Sequence, residues 1–177
     1  MRKLFRIFFC GVLLLAGFVF GSGAANAHTL PESELVLLHD LEQEDRTITR
    51  EFRIGMSFDE VEAALGNEFE LEDKHYEFRL VNYKYGGITF GTISGRNDMT
   101  PTGKLEVRSI YCRNPWFRTP SGFRVGDPYE KVRKMYGEGK LYKNSEYVYT
   151  ISPARLMSFI VNPAGQIEEI QMCIPLM

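Results

Sequence analysis

The stretch FRIGMSFDEVEAALG, Phe52 to Gly66, is echoed by FRVGDPYEKVRKMYG, Phe123 to Gly137. Gly55 aligns with Gly126 and Gly66 with Gly137, without an insertion. Each copy carries the marks of a short amphipathic helix. Ser57 precedes Glu60 at capping-box spacing, where hydroxyl and carboxylate each take an orphan backbone N–H. In the second copy Asp127 is expected to cap, Pro128 to preset the first-turn φ, and Glu130 to complete the box. Phe58, Val61 and Leu65 recur as Tyr129, Val132 and Tyr136, so one helical face is apolar. Gly66 and Gly137 stand where a left-handed residue ends a helix.

The residues after each helix read as strands. YEFRLVNYKY and ITFGTIS flank Gly86-Gly87, a two-residue hairpin turn. EYVYTIS and RLMSFIVN turn through Pro153-Ala154, and KLEVRSIYC and QIEEIQMC close the two copies. The link before the third strand is long in the first copy, Gly95 to Gly103, and is the tight turn NPAG in the second. The expected fold class is therefore α+β: two tandem helix-plus-antiparallel-sheet repeats, with the helices on one face of the sheet. The expected organisation is a signal peptide at 1–27, an N-terminal segment at 28–49, a first repeat at 50–112, a linker at 113–122 and a second repeat at 123–177. RNPWFRTPSG supplies that linker. In the N-terminal segment, Leu35, Leu38 and Leu41 suit a helix face, with an edge strand through LVLLHD as the alternative.

The first residues give the chain an address. A basic start, MRKLFR, leads into an apolar run from Ile7 to Phe20 and then GSGAANA, the three-part layout of a secretory signal. The run is shorter than the roughly 20 residues a membrane-spanning helix needs. No membrane span is expected after cleavage at Ala27, and the mature chain is expected to be periplasmic or secreted. The whole chain has a formal charge of −2, and the signal holds Arg2, Lys3 and Arg6 but no acid. Its removal leaves a mildly acidic protein, which argues against nucleic acid or an anionic membrane surface as partner. Cys112 and Cys173 remain, an even count in an exported chain, and both fall at the end of a third strand. A Cys112–Cys173 disulfide is expected, with two buried free thiols as the alternative.

GMSFDEVEAALG resembles the opening motif of the SmpA/OmlA (BamE-like) envelope proteins, through Gly55, Met56, Ser57, Val61, Leu65 and Gly66. TPSGFRVGDPYEKVRKMYG looks like a sister phrase, and two such modules in tandem are similar to the β-lactamase inhibitory protein fold. The resemblance implies a non-catalytic extracytoplasmic interaction module.

Chemistry-bearing patterns are sparse. His28, His39 and His75 form no HxxH or HExxH motif, and no CxxC occurs, so neither a metal nor a cofactor is expected. A His28 exposed by cleavage would offer an amine and an imidazole to copper. GTISG, Gly91 to Gly95, has its serine one place late for a nucleophile elbow. The acids in ESELVLLHDLEQED and EFELED lack the glycine turn of a calcium loop and read as solvated faces. No catalytic residue is assigned.

Aromatic residues make up 13% of the chain. Tyr83 and Tyr85 share one strand face, as do Tyr147 and Tyr149, and Trp116 lies in the linker. Packing in the core is one reading of these rings. Rigid aromatic area on a helix-free sheet face is the other, and it suits protein recognition. The sequence thus points to an exported protein that binds an unidentified envelope or extracellular protein through Tyr83, Tyr85, Trp116, Tyr147 and Tyr149. The Gly95–Gly103 loop is expected to add a protrusion. A periplasmic small-ligand or lipid-binding protein is the alternative.

Overall fold

The computed structural model describes residues 29–43, 46–143 and 145–174. The expected leader and His28 lie outside them. After a 3-10 turn at Glu32–Glu34 come β1 (Val36–Gln43), β2 (Arg46–Arg53), α1 (Phe58–Leu65), β3 (Glu70–His75), β4 (Phe78–Tyr85), β5 (Ile88–Gly95), β6 (Ser109–Cys112) and β7 (Phe117–Arg118). Then follow α2 (Glu130–Tyr136), β8 (Lys140–Tyr142), β9 (Glu146–Ser152), β10 (Arg155–Val161) and β11 (Ile167–Cys173). One sheet has three strands in the order β2-β1-β7; the other has eight, in the order β3-β4-β5-β6-β11-β10-β9-β8.

This architecture overturns the α+β expectation of two tandem helix-plus-antiparallel-sheet repeats. Among the described residues the chain is mostly β, with eleven strands in two antiparallel sheets and two helices of eight and seven residues. The N-terminal segment supplies a strand, β1, in place of the expected helix, and β2 runs across the expected boundary at residue 50. The linker holds β7. Two further strands, β3 and β8, form the edges of the large sheet; β3, ELEDKH, has the composition of a solvated loop, and β8 has three residues.

Local geometry at the echoed phrases is nevertheless shared. Gly55 N–H donates to Val107 O and Gly126 N–H to Ile167 O, both at 2.8 Å. Gly66 and Gly137 adopt φ of 86° and 77°, a region that costs other residues energy. The first capping box forms: Glu60 N–H donates to Ser57 Oγ at 3.2 Å and Ser57 N–H to Glu60 Oε2 at 2.7 Å. The second does not. Asp127 Oδ2 instead accepts from Arg124 N–H at 3.0 Å, and Tyr129 stands at the N-cap of α2 without a side-chain cap bond.

The core lies on one face of the large sheet. A registered row crosses seven strands as Leu71, Tyr83, Phe90, Ile110, Met172, Met157 and Tyr149. All but the edge residue Leu71 are buried. Phe58 of α1 packs on Tyr83 with ring centroids 4.4 Å apart. Between the helices, Phe52 of β2 meets Phe90 and Phe117, each at 5.6 Å, and docks the small sheet on the large one. On the other side Tyr129 stacks on Tyr147 at 4.1 Å.

Tyrosine hydroxyls finish both helices. Tyr85 Oη donates to Gly66 O at 3.0 Å, and Tyr149 Oη to Gly137 O at 2.7 Å. Tyr129 and Tyr149 hydroxyls lie 2.8 Å apart, and Gly139 N–H donates to Tyr129 Oη at 3.1 Å. Since the Tyr149 proton goes to Gly137, Tyr129 donates to Tyr149, and every group in this buried chain is satisfied. Tyr149→Phe removes its middle link and is expected to cost about 1–3 kcal/mol, read as a lower urea midpoint at unchanged slope.

Cys112 and Cys173 are not joined by a disulfide. Cys112 faces Ile170 and Cys173 faces Ser109 across the β6–β11 ladder. The two are therefore displaced by roughly 10 Å along the strands and point to opposite faces, beyond the ~7 Å Cα reach of a bridge. Cys112 is buried, and desolvation pushes its thiol up to about 12, so it is protonated and unreactive at neutral pH.

Candidate functional site

The four tyrosines proposed as partner contacts lie on the helix-covered face, in correction of the sequence reading. Tyr149 is fully buried, and Tyr83, 5% exposed, is stacked on Phe69 with centroids 4.1 Å apart. Tyr85 is half-buried and committed to Gly66 O, and burial raises its hydroxyl to about 12. Tyr147 is half-buried against Tyr129. The reason is parity: all four share the side of the sheet that carries Val81, Phe90 and Met157. The opposite face carries a different row, Lys84, Thr89, Tyr111, Gln171, Ser158 and Val148. It is largely polar.

Trp116, the fifth candidate, is 71% exposed. Asn114 fixes the turn that presents it: Asn114 Oδ1 accepts from Trp116 N–H at 2.9 Å, while Asn114 Nδ2 donates to Gly86 O at 2.8 Å. The indole borders a shallow cleft of about 350 Å³ with His39, Asp40, Leu41, Glu42 and Arg124. One wall is β1, where it outruns the two-residue β7.

The electrostatics of this cleft are set by its neighbours. Arg118 grips Asp40 through Nε to Oδ2 at 3.0 Å and Nη2 to Oδ1 at 3.1 Å, and Thr49 Oγ1 donates to Asp40 Oδ1 at 2.7 Å. The Arg118 hydrogen bonds, then the Thr49 one, hold the Asp40 carboxyl down at about 2. His39 stacks on Phe117 with centroids 4.5 Å apart, and burial lowers its pKa against the opposing pull of Asp40. It is neutral at pH 7. The lining therefore presents an indole, an aliphatic side chain, a neutral imidazole, carboxylates and one guanidinium. It holds no thiol or hydroxyl nucleophile.

Sequence reasoning missed His39, Asp40, Leu41, Glu42 and Arg124 as a group. Leucines at 37, 38 and 41 fall on both parities of β1 and blur its alternation. The available signal was the alternation of Leu37, His39 and Leu41 against Leu38, Asp40 and Glu42. His39 and His75 lie on strands of different sheets, β1 and β3. Among the described residues no group of three or more His, Cys, Asp or Glu could hold a metal. Among the same residues no helix is long and apolar enough to cross a membrane.

The Gly95–Gly103 loop is pinned at its base. Arg79, 6% exposed, donates from Nη1 to Asp98 O at 3.1 Å and to Thr100 O at 2.6 Å, and from Nη2 to Thr102 Oγ1 at 2.9 Å. Its Nε and Nη2 also bond both oxygens of Asp73, at 3.1 and 2.8 Å. Met99 on this loop is 86% exposed.

No protein-family model matches the chain, and no curated protein gives a significant match. A solved structure that aligns with it is an extracellular protein containing a SCP domain from Bacillus anthracis str. Ames, at 11% identity and a TM-score of 0.41. The alignment covers 76% of this chain and 50% of that one, so the chain spans half that protein's length. A likeness of this degree carries no argument about fold or function.

Proposed function

We propose that the chain is an exported, non-catalytic protein-interaction module, and that it grips a partner protein at the Trp116 cleft. The observation that carries this reading is the indole itself. A large ring, 71% exposed, stands on a turn whose Trp116 N–H is held by Asn114 Oδ1, beside half-buried Leu41 and Asp40. Tryptophan and arginine are the side chains that most often dominate protein interfaces, and a ring carried on a fixed turn leaves less backbone to order on binding. The resemblance of the Gly55–Gly66 phrase to SmpA/OmlA envelope proteins, and the leader-like start, support an extracytoplasmic partner.

The test is capture from the native envelope with tagged chain and with a Trp116→Ala form. One dominant protein is expected, with recovery falling at least tenfold in the variant, the effect of losing about 1.4 kcal/mol or more. Capture unchanged by Trp116→Ala would remove the cleft as the binding surface, and none above background alongside a thermal shift with lipid extract would transfer the function to a small-ligand or lipid carrier.

A further inference from the structure

β2 is the outer strand of the small sheet. β1 flanks it on one side, and among the described residues no strand flanks it on the other. Its eight residues pair with β1 in unbroken register, without a proline or a bulge. In an antiparallel strand, successive residues aim their N–H and C=O groups alternately to the two sides. Every second residue of β2 therefore offers backbone groups outward, which is a template for a strand from another chain. The edges of the large sheet differ. β8 has three residues. On β3, Glu72 accepts from Asn82 and Asp73 is clamped by Arg79.

Side chains select the strand that fits. Arg46, Arg50 and Arg53 outweigh Glu51 along β2, although the chain as a whole is net acidic. Arg46, Ile48, Arg50 and Phe52 point to one side and Thr47, Thr49, Glu51 and Arg53 to the other. Arg46 and Arg53 are exposed, and Arg50 Nε finds no acceptor among the described residues. Two β2 edges brought together would set this surplus of positive charge against itself, and like charges across a strand pair destabilise it. An acidic strand gains where a second copy loses.

We propose that the β2 edge captures an extended acidic segment of a partner protein by strand addition. Its carboxylates lie beside Arg46 and Arg50, and its β-branched residues beside Thr47 and Thr49. This edge is opposite the β7 side of the small sheet, and the inference stands independently of the Trp116 cleft.

The experiment titrates the full chain into a fluorescein-labelled octapeptide of alternating glutamate and valine, followed by anisotropy. Saturable binding is expected. It should weaken at least tenfold when every peptide amide is N-methylated, and equally when lysine replaces glutamate. An R46E/R50E chain should lose the acidic peptide to the same degree, whereas Trp116→Ala should leave the titration unchanged. That last arm separates failure of this inference from failure of the cleft. Both altered peptides are read on the unmodified chain, so a folding defect in the variant cannot imitate the result. No saturable binding, equal binding of the N-methylated or lysine peptide, or dimerisation that excludes the acidic peptide would overturn strand addition.

Discussion

Phe52→Ala is expected to destabilise the chain by about 3–5 kcal/mol, more than any other single truncation in the small sheet. Phe52 is 0% exposed and touches rings from two other strands, Phe90 of β5 and Phe117 of β7. Its loss removes buried apolar area and leaves a cavity lined by aromatic rings, which cannot collapse as freely as aliphatic chains. The small sheet touches the core through few other fully buried side chains, with Leu37 and Phe117 the main ones. Unfolding in urea should show a midpoint lower by roughly 1–3 M. Hydrogen exchange should show β1 and β2 opening ahead of the large sheet. Equal loss of protection across all strands would mean that the two sheets unfold as a unit.

Arg79→Met is expected to cost about 2–3 kcal/mol. A buried ion pair broken on one side commonly costs about 3–5 kcal/mol. Here the abandoned Asp73 side chain is 24% exposed, and water recovers part of that. The carbonyls of Asp98 and Thr100 lose their donor at the same time. Proteolysis should then cut between Gly95 and Gly103 well before the sheets open. The pH dependence follows from sign. The Arg79 hydrogen bond, the largest cause, lowers the Asp73 pKa in the folded chain. Its contribution is thus complete above the unfolded value of about 3.9 and is lost as pH falls through the folded one. The normal chain should lose stability below about pH 4, and Arg79→Met should show a shallower acid limb. Parallel acid limbs would remove Asp73 from the account.

Where the sequence proved legible, residues had strong local reasons. Gly86-Gly87 turns β4 into β5, Pro153-Ala154 turns β9 into β10, and Gly165 N–H closes the NPAG turn on Asn162 O at 2.9 Å. The Ser57–Glu60 box follows from spacing alone. What failed needed long-range information. β3 and β8 are strands because β4 and β9 offer them a ladder; the charged residues of β3 carry no hydrophobic alternation, and the three residues of β8 are too few to show one. Asp127 has the right chemistry for a cap, but Arg124 N–H and Lys131 claim its two oxygens. The cysteines end equivalent-looking strands, yet their registers place them on opposite faces. Alternation correctly paired Tyr83 with Tyr85, but only tertiary packing decides which face the helices cover. Trp116 was named from its place in the linker, where pinning the linker was the other reading, and its exposure is visible only in the structure. Its cleft companions were not legible, since β1 brings them there.

The central claim is that Trp116 and the adjoining β1 residues form the recognition surface. Site-specific photocrosslinking in the native envelope tests it most directly, with the reactive residue placed at Glu42 in the cleft and, as a control, at Met135, 56% exposed on α2. The account predicts one discrete adduct from position 42, none from position 135, and loss of the first when Trp116→Ala is added. Adducts of equal yield from both positions, or an adduct from position 135 alone, would contradict it.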